Sequence, residues 1–304
     1  MKLVACLFLT GVLLWNPPLW AGGLMLVGMP PQAILVDEVL RQQRGGEIEA
    51  LARYVASTTV RVHLEVLERD RHGVVILDPA AGSPRTDTMF CSGTIAGTRQ
   101  IVLAAHCFDG ELAYAVSSYP VTVYFGPDVD KARESGLVRN MIDHAIEPEY
   151  VRSSHRGSDA AMIELDTDVP AGFYPATPVN SLAELLDNAS NLKVYLAGIG
   201  ATRNGDLPDA RARFGEVGIR DGVASIREDQ DVLVTVPLSR LRKDRLASCG
   251  GDSGGQMFAL MRGDIRWVGT TVSGNCASWT VSTVMTADRV KALESLLGKP
   301  ADPR

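Results

Sequence analysis

The segment Cys249-Gly250-Gly251-Asp252-Ser253-Gly254-Gly255 sets a serine among glycines. Glycine lets the main chain turn tightly and leaves neighbouring amide N–H groups uncovered by side chains. The N–H groups of Gly251 and Ser253 are thereby candidates to converge on one point, where the negative oxygen of an acyl-transfer intermediate would form. A serine hydroxyl is a weak nucleophile by itself, so it needs a base, and the base needs a group to orient it. His106, in Leu103-Ala104-Ala105-His106-Cys107, is the candidate base. Asp159, heading the apolar run Ala160-Ala161-Met162-Ile163, is the candidate orienting group. A carboxylate at the start of a buried strand can accept one imidazole N–H and leave the other ring nitrogen basic.

Other residues of the same types fit less well. His155, in Ser153-Ser154-His155-Arg156-Gly157, reads as a solvated loop histidine. Asp143, Asp166 and Asp168 lie nearer to turns and charged neighbours and read as surface groups. The stretch Gly251-Asp252-Ser253-Gly254-Gly255 also fits the G-x-S-x-G elbow of α/β-hydrolases, in which the histidine follows the serine in chain order. All five histidines (His63, His72, His106, His144 and His155) precede Ser253, so that reading fails.

The three motifs in their order resemble those of the chymotrypsin/trypsin-like serine proteases. Members of that family read close to TAAHC, DIALL and GDSGGP; this chain reads LAAHC, DAAMI and GDSGGQ. The resemblance spans residues 54 to 297 and implies a base at His106, an orienting carboxylate at Asp159 and a nucleophile at Ser253. The amides of Gly251 and Ser253 would bind the oxyanion. The reaction the resemblance implies is peptide-bond hydrolysis through an acyl-enzyme, with no metal or organic cofactor expected. The resemblance also pairs Cys91 with Cys107 and Cys249 with Cys276. The expected partners are a polypeptide substrate and a pro-segment or protein inhibitor, with no nucleic acid and no stable membrane insertion. A protease-like binding or regulatory protein is the alternative; such relatives usually lose one of the three residues, and all three are present.

Two departures from the family pattern bear on mechanism and specificity. Activated members bury the carboxylate equivalent to Asp252 against a new N-terminal ammonium, usually on an Ile-Val-Gly-Gly start. No such sequence precedes Cys91. An atypical N-terminus, an internal cation or a zymogen-like arrangement must satisfy Asp252 instead, because an unpaired buried carboxylate is costly. In the substrate pocket, Ala247 stands where trypsin-like members carry an aspartate, with Ser248 beside it. Thr271-Val272-Ser273 replaces the usual Ser-Trp-Gly on the opposite wall. These residues predict no Lys/Arg preference and a small or medium apolar side chain in the pocket.

The elements that must hold these groups are mainly strands. Thr59–Leu64 alternates, and Val121–Phe125 and Leu192–Ala197 are short β-type runs ending at glycine. Short strands separated by Gly, Pro and Asp turns argue for an all-β sandwich or barrel. Ala287–Leu297 has helical spacing and stops at Gly298. The resemblance narrows the fold to all-β, two packed six-stranded antiparallel β-barrels with a C-terminal helix. The site would lie in the cleft between halves at residues 54–170 and 171–286 of a domain over 54–304.

Bulk properties are compatible with that picture. Of 304 residues, 46% are apolar and 22% charged, which is ordinary for a protein with a substantial core. The formal charge of −6 argues against nucleic acid or anionic membrane as a partner. At the N-terminus, Lys2, the apolar run Leu3–Leu14, the break at Asn16-Pro17-Pro18 and the small pair Ala21-Gly22 read as a signal peptide over 1–21, hence a secreted or periplasmic protein. The run is shorter than the ~20 residues needed to span a bilayer. Its removal takes Cys6 and leaves four cysteines, an even set suited to an oxidising compartment. Residues 22–53, with a short helix predicted after Ala33, read as a pro-segment or an N-terminal extension.

Overall fold

In the computed structural model the chain is described at residues 33–43, 45–68, 70, 72, 74–108, 120–150, 158–188, 192–201, 210–219, 226–227, 232–237 and 247–299. The predicted signal peptide and His155 lie outside these residues. Among the described residues, no helix is long and apolar enough to cross a membrane.

Alternating apolar residues build the first barrel. In β2 (Thr59–Leu67), Val60, Val62 and Leu64 are fully buried. Val121, Val123 and Phe125 of β5 (Val121–Phe125) are buried, while Thr122 and Tyr124 between them are only partly so. The period of two is that of a strand with one face on a core. With β3 (Thr86–Ile95), β4 (Gln100–Leu103), β6 (Val138–Ile146) and β7 (Ala161–Leu165), these strands close into a barrel of order β2-β3-β4-β7-β6-β5. Closure leaves no unpaired sheet edge.

The second barrel is built from β8 (Lys193–Gly198), β9 (Arg213–Ile219), β11 (Val232–Pro237), β12 (Gln256–Met261), β13 (Asp264–Gly274) and β14 (Thr280–Val284). They follow the order β9-β8-β12-β13-β14-β11, and a β9–β11 pairing closes the ring. The short strands β1 (Ile34–Leu35) and β10 (Ile226–Arg227) add to β9 and β11 respectively. The all-β, double-barrel expectation therefore holds.

The N-terminal extension is part of the packed structure. Helices α1 (Val36–Gln42) and α2 (Gly46–Thr58) lay Val36, Leu51, Ala52 and Val55, all fully buried, against Tyr195, Phe214 and Phe258 of the second barrel. The boundary at 53/54, where the family resemblance begins, falls inside α2, since an amphipathic helix shows its tertiary partner only in three dimensions. At the end of α2, the Thr58 hydroxyl donates to Gln256 Oε1 at 3.2 Å, and Gln256 Nε2 donates to Tyr54 Oη at 2.9 Å. Gln256, which occupies the usual proline position of the serine motif, thus ties α2 to β12.

Two shorter helices, α3 (Val129–Glu134) and α4 (Leu182–Asn188), sit in connections. The C-terminal helix α5 (Ala287–Glu294) is capped by Thr286, whose hydroxyl accepts from Arg289 N at 3.2 Å. Leu293 of α5 joins Val102 and Met162 of the first barrel and Trp267 of the second in one apolar cluster. Arg289 reinforces that seam by donating to Glu147 Oε1 at 2.8 and 3.1 Å.

Candidate active site

Strand register brings the histidine and the aspartate together. β4 and β7 pair antiparallel with Leu103 opposite Ala161. Continuing past Leu103 and backing up from Ala161 places His106 and Asp159 at the same barrel rim. His106 sits in a 3-10 turn, Ala105–Phe108, whose Ala104 and Ala105 neighbours are fully buried. Small residues there let the turn press against the barrel end. Cys107 closes a disulfide to Cys91 of β3, with Cα atoms 6.5 Å apart, and so fixes the turn from the other side.

Asp159 is 1% exposed and uses both oxygens on His106. Oδ1 accepts the His106 backbone N–H at 2.9 Å, and Oδ2 lies 2.8 Å from Nδ1. An ionised carboxylate only accepts, so Nδ1 carries the proton and Nε2 is left with its lone pair. Nε2 is 2.7 Å from Ser253 Oγ. The hydroxyl therefore donates to the ring, and the three side chains form one hydrogen-bonded row across the junction of the barrels.

The glycines before Ser253 shape the adjoining loop. Asp252 N–H donates to Cys249 O at 3.0 Å, and Gly251 has φ +88°. A four-residue turn with positive φ at its third position is of type II, which glycine alone adopts without strain. Ala201 N–H holds the Gly250 carbonyl at 2.8 Å, so the Gly251 N–H, on the opposite side of the same planar peptide, points the other way. Among the described residues none accepts a hydrogen bond from the N–H of Gly251 or of Ser253. Two uncommitted donors beside a hydroxyl bonded to a ring nitrogen can stabilise negative charge on an attacked carbonyl oxygen.

Asp252 is partly buried, and both of its carboxylate oxygens accept from within the chain. Oδ1 accepts Gly200 N–H at 2.8 Å and Oδ2 accepts Cys249 N–H at 3.0 Å. Burial pushes its carboxyl up to about 6, against the pull of those two N–H groups and of the Arg213 and Arg61 charges. A Cβ on Gly200 would lie 2.4 Å from Oδ1, so only glycine brings that backbone close enough to donate. Arg61 reaches across from the first barrel to donate to Ile199 O, beside Gly200. Backbone donors were not among the arrangements expected for Asp252; of those expected, the internal cation is represented by the charges of Arg213 and Arg61, which favour the ionised carboxylate.

The residues expected to form the substrate pocket separate into two groups. Ala247, Ser248 and Thr271 line a cavity of about 80 Å³ that reaches Asp252 and Arg213. Val272 instead packs into the core cluster of the first barrel. Ser273 meets the pocket through its carbonyl, which accepts the Ser248 hydroxyl at 3.1 Å. Behind that contact, Cys276 N–H donates to Ser248 O at 3.0 Å, and Cys249 and Cys276 are joined as a disulfide. A Cβ on Gly274 would come 1.9 Å from Ser248 Oγ, a measure of how closely the two walls approach. Ser92, Gly200 and Ala201, which hold the loop, carry no local sequence signal; only the position of Ser92 next to Cys91 hinted at a place near the site.

The family model described as Trypsin matches residues 79–290. A venom protease of Bombus pensylvanicus is 28% identical over 191 residues, which cover 62% of this chain and 76% of that protein. A solved structure titled "Atomic resolution structure of HBP" superposes with a TM-score of 0.54 at 16% identity, covering 83% of this chain and 96% of the other, which speaks for the fold alone. Because the family match takes in both disulfides, the histidine turn and the serine loop, this chain belongs to the trypsin family and carries a serine protease domain of that family.

Proposed function

We propose that the protein is an exported serine endopeptidase that cleaves polypeptides through an acyl-enzyme on Ser253. The observation that carries this reading is the unbroken row of short hydrogen bonds from Asp159 through His106 to Ser253. As Ser253 Oγ attacks the scissile carbonyl, its proton passes to His106 Nε2. The carboxylate of Asp159 holds the ring and offsets the imidazolium charge. The carbonyl oxygen, now negative, is met by the N–H groups of Gly251 and Ser253. His106 then returns the proton to the leaving amine, and a water activated by the same ring releases the acyl group.

Ala247 supplies no carboxylate for a Lys or Arg side chain, and the close approach of Ser248 to Ser273 and Gly274 leaves little width between the walls. Both support a small or medium apolar side chain at the cleaved bond. Two disulfides support an extracytoplasmic site of action.

A fluorophosphonate probe tests the chemistry on the purified full chain beside Ser253→Ala. Labelling of the wild type that vanishes in the variant is the expected result. Absence of labelling in correctly disulfide-bonded protein would defeat the endopeptidase reading and leave a binding or regulatory role for the fold. Labelling only after limited proteolysis would identify a zymogen.

A further inference from the structure

Ser92 of β3 is fully buried at the junction of the barrels, and all of its polar groups except its carbonyl face the serine loop or the loop beside it. Its backbone N–H donates to Ser253 O at 2.8 Å. Its hydroxyl donates to Gly251 O at 2.9 Å and accepts the Ile199 N–H at 2.9 Å. The N–H groups of Gly251 and Ser253 are the candidate oxyanion donors, and neither meets an acceptor among the described residues. One residue of the first barrel therefore grips, by their carbonyls, both residues that present those donors from the second. Ser92 is also next to Cys91, whose disulfide fixes the His106 turn. The Ile199 contact adds the neighbour of Gly200, the donor to Asp252.

We propose that Ser92 is a positioning residue that sets the oxyanion donors in register with His106 across the cleft. The role rests on the acyl-transfer reading of Gly251 and Ser253. Two glycines, Gly250 and Gly251, form the centre of the turn and have no side chain to anchor it, so its placement depends on contacts such as these. The hydroxyl works in both senses, donating once and accepting once. Its removal leaves a buried carbonyl and a buried N–H without partners, and the loop moves to satisfy them. A shift well under an ångström at the donors weakens a charge that exists only in the transition state, and so lowers kcat rather than raising KM.

The test is steady-state kinetics on the full chain with a peptide ester or amide, comparing wild type, Ser92→Ala and Tyr54→Phe. Tyr54→Phe removes a part-buried hydrogen bond to Gln256 that touches none of the three residues of the row and controls for general loosening. Affinities for a peptide boronate, which takes up the tetrahedral geometry, and for a ground-state peptide inhibitor complete the set. Ser92→Ala should lower kcat about tenfold to a hundredfold with KM within threefold. Boronate affinity should fall in step while the ground-state inhibitor is unaffected, and Tyr54→Phe should keep its kcat. A kcat within fivefold of wild type, or equal losses for the two inhibitors, would overturn the role whatever happens to Tm. If Ser92→Ala does not fold, Ser92→Gly, which leaves room for water, must show the same split. A wild type without Ser253-dependent turnover would instead defeat the acyl-transfer reading itself, and this role with it.

Discussion

Asp252 and His63 titrate abnormally for the same reason, burial, and their effects on stability oppose each other. The Asp252 carboxyl is raised from 3.8 to about 6, so between those values the folded chain holds more protons than the unfolded one. Stability from this group therefore falls as pH rises through that window. His63 lies between Phe90 and Tyr124, with ring centroids at 4.8 and 4.4 Å. Burial, then the Arg61 and Arg133 charges, lower it from 6.5 to about 4, so the unfolded chain holds more protons and stability rises with pH. Urea midpoints between pH 4 and 7 separate the two. Relative to wild type, Asp252→Asn should make the rise with pH steeper and His63→Gln should flatten or reverse it. Matching slopes in all three proteins would show that neither group is shifted as stated. Gly200→Ala probes the same carboxylate by contact: a methyl 2.4 Å from Oδ1 must displace it, and turnover should fall with it.

Helices α1 and α2 act as elements of the core, and that is measurable. Leu51 is fully buried in the cluster that joins α2 to Phe214 and Phe258. Leu51→Ala should cost about 2–5 kcal/mol, read from urea unfolding, whereas a dispensable pro-segment would lose almost nothing. The disulfide between β3 and the His106 turn makes a different prediction. It closes a loop with a sequence separation of 16. Replacing Cys91 and Cys107 together by alanine should cost about 3 kcal/mol in the chain-entropy account and should loosen the turn that presents His106. The helical character after Ala33 was readable from spacing, and so were the strands at Thr59 and Val121. The docking of α2 was not, because Tyr54, Thr58 and Gln256 meet only after about two hundred residues of intervening chain have folded.

At the scale of the molecule, the two barrels are joined at more than the cleft. Arg289 and Glu147, 13% and 16% exposed at their side chains, connect α5 to the end of β6 across the apolar seam of Trp267, Met162 and Leu293. Removing one partner of a mostly buried ion pair takes away much of what offsets the other's desolvation, so Arg289→Ala should destabilise by about 3 kcal/mol. A chain begun at Tyr54 tests the extension as a whole. It would strip α1 and most of α2 from Tyr195, Phe214 and Phe258, expose that apolar face, and should bind a hydrophobic dye or aggregate where the full chain does not. Native-like unfolding of the shortened chain would show the extension to be separable.

The class of the fold was legible in the linear chain, as were the residues proposed here to carry the chemistry. Short motifs around His106, Asp159 and Ser253 are local, and strand alternation and chain order are written into the linear text. The even set of cysteines remaining beyond Cys6 was equally legible, though their pairing came from resemblance. Tertiary structure alone decided what satisfies Asp252, where Val272 packs, and that Ser92 reaches Gly251 and Ile199. Each of these depends on backbone amides or carbonyls of residues distant in sequence. Every residue type carries such groups alike, so composition and motif cannot reveal them. A single buried hydroxyl or glycine gains its meaning from the partner that folding brings to it.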